Sequence, residues 1–216
     1  MNAFQKKLKI LDACKSGLDW AKGQTDIERA WWMCQRADWL LWLAVKLGVA
    51  EKQATIATCE LAKLVLPFTK DHRPWTAQIM AEHEAWDHGA ETRDNLWIAA
   101  QDARQAADEA KERGDHAASN AAFAGMYAAF TAAEGMNKQR ATGIAKVVAE
   151  AAAYSRAAPA EREIARQSMQ LACTYIVRNR INASLVTAAW KAHFARSKTR
   201  SKSGPRLATR SQRATQ

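Results

Sequence analysis

By residue type and spacing, the run His83-Glu84-Ala85-Trp86-Asp87-His88 is the first place to look for chemistry. A zinc-protease helix needs two histidines four positions apart, so that both imidazoles leave one face beside a glutamate base. Here the histidines are five apart, and the position four beyond His83 is Asp87. His83 with Asp87 is a two-ligand set, short of the three or four protein ligands a zinc ion takes, so no metal is expected. The four cysteines, Cys14, Cys34, Cys59 and Cys173, form no C-x-x-C pair and have no histidine at zinc spacing. Each falls among apolar residues in a helical pattern and reads as a buried free thiol in a reducing compartment. His72, His116 and His193 stand apart among polar or basic residues, and there is no G-x-S-x-G, Walker A or G-x-G-x-x-G motif. Asp108, Glu109, Glu161 and Glu163 read as solvated helix charge, with Glu109 paired to Arg113 one turn on. No nucleophile comes with an orienting base. Neither enzymatic activity nor a cofactor is expected.

What remains is the chemistry of recognition, and it sits in two places. Four of the nine tryptophans lie between Thr25 and Gly48, interleaved with arginine. Tryptophan and arginine are the residues most enriched at the energetic centres of protein interfaces. The second place is the C-terminus. Residues 191–216 hold eight of the 32 basic residues and none of the 22 acidic ones, so most of the formal charge of +10 belongs there. Arg196, Lys198, Arg200, Lys202, Arg206, Arg210 and Arg213 could neutralise phosphates in a salt-dependent, sequence-independent way. With no aromatic residue among them after 195 to stack on bases, selectivity would be poor.

The elements that position these residues are helical. The chain has 216 residues, only four prolines and nine glycines, and no β-branched run of period two. Apolar residues recur at three and four through segments near 3–22, 25–48, 50–66, 75–88, 91–113, 115–134, 137–157 and 160–196. Trp75, Trp86 and Trp97 lie eleven apart, and would share one face if the Gly89 region only kinks a continuous helix. Phe123, Tyr127 and Phe130 form a stripe within alanines, whose small side chains let helix axes approach closely. The pattern predicts an all-α, single-domain bundle of about seven or eight helices over 1–195, followed by a disordered basic tail over 196–216. No apolar stretch reaches the length of a membrane span, and no secretion signal opens the chain, so a cytoplasmic, non-membrane protein is expected. Asn182-Ala183-Ser184 matches a glycosylation sequon that has no meaning in that compartment.

Within 25–48, Thr25 and Glu28 have the spacing of a capping box and Gly48 is a stop signal. On a helical wheel Ile27, Trp31, Cys34, Asp38, Leu41 and Val45 form the inward stripe. Trp32, Trp39 and Leu43 share the opposite side with Arg36, either packed by neighbouring helices or exposed to a partner. Asp38 is the polar member of the core stripe and needs a basic or N–H partner. In a continuous helix that partner cannot be Arg36, because residues two apart diverge.

The run Trp31-Trp32-Met33-Cys34-Gln35-Arg36-Ala37-Asp38-Trp39-Leu40-Leu41-Trp42-Leu43-Ala44 resembles the signature of the Imm-5-like immunity proteins, an all-helical family of bacteria and their phages. Its pattern is similar to W-x-x-C-x-R-x-D-W-hydrophobic-x-W, with Ala37 where that pattern has glycine. The stretch Leu171 to Ile181, with Cys173 and Arg178, resembles the family's closing helix. The likeness runs from about residue 8 to about residue 185 and leaves the basic tail outside. It implies a protein that neutralises a toxin or effector by binding it.

The expected function is therefore non-enzymatic protein binding, with Trp32, Arg36, Trp39 and Leu43 as contact residues and Asp38 as a structural buried polar group. The alternative is a phage-encoded helical protein that associates non-specifically with nucleic acid through its basic tail.

Overall fold

A computed structural model describes the backbone of residues 1–49, 51–85 and 93–202, and of these the side chains of His83 and 197–202 are outside the description. Every regular element among the described residues is helical. They are α1 (Ala3–Ile10), α2 (Lys15–Trp20), α3 (Ile27–Met33), α4 (Ala37–Leu47), α5 (Glu51–Lys63), α6 (His72–Ala85), α7 (Arg93–Glu112), α8 (His116–Glu134), α9 (Lys138–Tyr154), α10 (Pro159–Arg180) and α11 (Ala183–Lys202), with short 3-10 turns at Ala21–Gly23 and Leu66–Phe68.

The all-helical class is as the sequence predicts, but eight periodic segments have become eleven helices because three of them break. The first breaks after Ile10, where Asp12 takes a positive φ of 62°. The second breaks between Met33 and Ala37, where Cys34 (ψ 116°) and Arg36 (φ −115°, ψ 100°) leave helical geometry. The last breaks at Ile181, whose ψ is 99°, and Asn182. No glycine or proline marks any of these points. The Asn182-Ala183-Ser184 triplet is a helix start, with Ser184 N–H donating to Asn182 Oδ1 at 2.8 Å. The helix predicted to fade near Arg196 continues to Lys202, so the tail expected to be disordered from 196 is helical over its first seven residues. Residues 203–216 are outside the described residues.

Local signals account for most of the remaining boundaries. Asp26, one residue past the predicted cap, accepts from Arg29 N–H at 2.9 Å and starts α3. Gly48, left-handed at φ 65°, ends α4. Asp115 and Asn137 cap α8 and α9 by accepting from Ala118 and Arg140 N–H.

α8 lies at the centre of the packing, against α5, α6, α7 and α9. Between α6, α7 and α8 the core is nearly all alanine, with Ala77, Ala99, Ala100, Ala103 and Ala129 around Met126. Small side chains set the helix spacing there: a Cβ on Gly125 would come within 2.7 Å of the Pro74 carbonyl oxygen. Arg73, at the start of α6, holds Asp71 and also Glu109, near the end of α7. The predicted Glu109–Arg113 pair is replaced by this link between helices. Because α6 and α7 pack on each other, Trp75 and Trp97 are not on one continuous helical face; Trp86 and Gly89 lie outside the described residues.

The larger core joins α1, α3, α4, α5, α9, α10 and α11 around Trp31, Leu40, Leu41, Leu61, Ile144, Val148, Val177 and Ile181. Large side chains dominate here, as the apolar run Trp39 to Val45 predicts. Phe4, Trp190 and Phe194 close one end in ring contact. α10 packs on α4, α5 and α9, and α11 on α3 and α4, so the C-terminal helices cover the tryptophan-rich segment.

Candidate functional site

The break between α3 and α4 gathers most of the residues the sequence singles out. Ending α3 at Met33 strips carbonyl oxygens of their helical donors. Arg178 of α10 supplies replacements: its Nε donates to Trp31 O at 3.1 Å and its Nη2 to Cys34 O at 2.5 Å. Its guanidinium also lies beside the Trp32 ring, 5.9 Å from the centroid. Trp31 and Arg178, 147 positions apart in the chain, thus meet at one point.

Arg36 caps the start of α4 from outside it, which changes what its side chain reaches. Its Nε donates to Asp38 Oδ1 at 2.8 Å and its Nη2 to Asp38 Oδ2 at 2.7 Å. The expectation that Asp38 must find another partner is corrected: two residues apart diverge on a helix, but Arg36 is extended backbone. The carboxylate holds the Arg36 guanidinium above its usual range. The same guanidinium stacks over the Trp39 ring at 4.8 Å.

The four predicted contact residues separate. Trp32 is 54% exposed, and Met33 beside it is 56% exposed. Arg36 is exposed. Trp39 is half-buried, edge-on to Trp20 at 6.0 Å. Leu43 is only 7% exposed and belongs to the core, so it is not a surface residue. With Trp39, Trp20, Trp42 and Leu8 it lines a small apolar pocket of about 50 Å³ under α1 and α2. Turning the chain at 34–36 is what parts Trp32 from Leu43, which a continuous helix would have kept on one side.

The thiols follow their burial. Cys34, Cys59 and Cys173 are buried, and desolvation pushes them up to about 11, about 12 and about 12. Cys14 departs from the expectation of four buried thiols. It is exposed, and a hydrogen-bond contact with the Ser16 hydroxyl at 3.3 Å lowers its pKa.

A second, polar cleft of about 330 Å³ opens on the other flank of α4, where Arg36 and Asp38 face Tyr127, Lys146 and Glu150. Glu150 there is bound by Arg166 at 2.9 Å. No group of three His, Cys, Asp or Glu side chains with metal-binding geometry occurs among the described residues. The His83 side chain, Asp87 and His88 are outside them. In the basic segment Arg196 is exposed. The side chains of Lys198, Arg200 and Lys202, like Arg206, Arg210 and Arg213, are outside the description. No helix among the described residues is long and apolar enough to cross a membrane.

Sequence reasoning missed Met33 as a surface residue and Arg178 as the clamp. Met33 is the neighbour of Trp32 at the end of a helix whose early end is set from elsewhere. Arg178 carries no local signal, because its partners Trp31 and Cys34 lie far away in the sequence. Comparison with known proteins finds no matching family model, no matching curated protein and no matching solved structure.

Proposed function

We propose that this chain is a non-enzymatic binding protein of the immunity type, which holds a toxin or effector protein against the corner between α3 and α4. The observation that carries this reading is the adjacent pair Trp32 and Met33, each more than half exposed on a backbone that Arg178 fixes. A large aromatic side chain on a rigid turn gains contact area with little ordering cost on binding. Arg36, spread over Trp39 and locked to Asp38, supplies a preorganised polar rim.

The test is quantitative affinity capture from the native host, comparing the wild-type chain with Trp32→Ser. A stoichiometric protein partner retained by the wild type and lost by the variant supports the reading. Capture of no partner, or of one held equally by both chains, overturns it. Capture of nucleic acid that weakens steeply as salt is raised and disappears on deleting residues 197–216 would favour the basic-tail alternative instead.

A further inference from the structure

Trp32 is one end of a longer apolar track. On α10, Ile164, Leu171, Tyr175 and Arg178 follow at intervals of seven, four and three, which puts all four on one face. Ile164 is 65%, Leu171 49% and Tyr175 67% exposed. From Ile164 to Arg178 the track covers roughly 21 Å of helix at 1.5 Å per residue. It ends at the Arg178 guanidinium, where the Trp32 ring begins and Met33 adjoins. Large apolar side chains gathered on one exposed face mark a surface that something covers.

The charge at the end of the track is the more specific feature. Arg178 is half-buried, and its Nε and Nη2 are taken by the carbonyls of Trp31 and Cys34. Its Nη1 makes no hydrogen bond, and no carboxylate pairs with it, among the described residues. Arg36, Arg73, Arg166 and Arg180 each hold a carboxylate and are shifted upward by it. Arg178 is shifted downward, by burial. Carbonyl dipoles at a helix end offset part of a cation's desolvation, but a full countercharge is lacking.

We propose that this track docks an amphipathic helix of a protein partner, laid along α10 with its apolar face on Ile164, Leu171, Tyr175 and Trp32 and with a terminal-turn carboxylate on Arg178. The inference rests on the binding reading above and adds the partner's chemistry. A track of about four turns matches a helix presenting residues at i, i+4 and i+7, and the uncompensated guanidinium selects an acidic rather than a basic end.

The probe is a display library of roughly 18-residue peptides on a helix-forming template, panned against the full chain, with selected peptides measured by fluorescence anisotropy. The expected winners carry an aspartate or glutamate at one end of a helical apolar stripe. Trp32→Ser and Tyr175→Ser, both at exposed positions, should each weaken them by about tenfold. Replacing the peptide's acid with its amide should cost about tenfold against the wild type and little against Arg178→Gln. Winners that need Trp32 but carry a neutral or basic end would remove the acid anchor and leave the binding corner standing. Winners indifferent to Trp32 and Tyr175, or no winners at all, would overturn the docking of a helix here, while the capture experiment decides the binding corner separately.

Discussion

Arg36 and Asp38 stand two positions apart and share a two-bond ion pair, at 2.8 and 2.7 Å, because one is the last extended residue of a turn and the other lies in the first turn of a helix. That pair reports directly on the break between α3 and α4. Were the segment one continuous helix, the two side chains would leave it on different faces. The Arg36 side chain is 45% exposed and Asp38 18%, so the pair's own contribution is modest, about 0.5–1 kcal/mol. A double-mutant cycle of Arg36→Ala and Asp38→Ala in urea unfolding should show coupling of that size. Coupling indistinguishable from zero would mean that the turn stands without it.

Arg178 should matter more. It satisfies two carbonyl oxygens with a charged donor, and hydrogen bonds to charged groups contribute roughly 1.5–3 kcal/mol. Arg178→Ala is expected to lower unfolding stability by about 2–3 kcal/mol. For a chain of this size that is a fall in melting temperature of roughly 4–12 °C, which calorimetry can read. Arg178→Lys should recover part of the loss, since a single ammonium can reach one carbonyl but cannot fork to two.

Trp31 and Trp32 are sequence neighbours with opposite expected effects. Trp31 is 1% exposed in the large core, and Trp31→Ala should cost about 3–5 kcal/mol. Trp32 is 54% exposed, and Trp32→Ser should stay within about 0.5 kcal/mol of the wild type. Urea denaturation of the two variants separates the core tryptophan from the exposed one.

Thiol chemistry gives a pH-dependent check. In the native state Cys14 should react with a disulfide reagent well before Cys34, Cys59 and Cys173, which become available on unfolding. The three buried thiols are pushed from 9.0 to between about 11 and about 12. The unfolded chain therefore releases their protons first as pH rises. Their contribution to stability is complete below pH 9 and is lost progressively above it, by up to about 1.4 kcal/mol per pH unit for each thiol. Urea midpoints at pH 8 and pH 10 should fall less in a variant with all three replaced by alanine than in the wild type.

The helices were legible in the sequence because their causes are local. Apolar spacing, Asp115, Asn137 and Gly48 each act within a turn or two of where they sit. The break between α3 and α4 was illegible for the opposite reason. Trp31 to Asp38 has helical periodicity throughout, and its interruption is stabilised by a guanidinium 147 positions away. That one distant contact also hid half of the site. It placed Leu43 inside, left Met33 outside and made Arg36 available to Asp38. The stripe at Ile164, Leu171 and Tyr175 has helical spacing in the sequence, but periodicity identifies a face without saying whether another helix covers it, and here none does.

The clamp also sets an order of events during synthesis. Until Arg178 has left the ribosome, the carbonyls of Trp31 and Cys34 lack the donors that hold the turn, and nothing fixes Trp32 in place. At translation rates of 5–20 residues per second, those 147 residues take roughly 7–30 s to make. Nascent chains in that interval expose a tryptophan-rich segment without its finished shape, so its exposure to chaperones is prolonged.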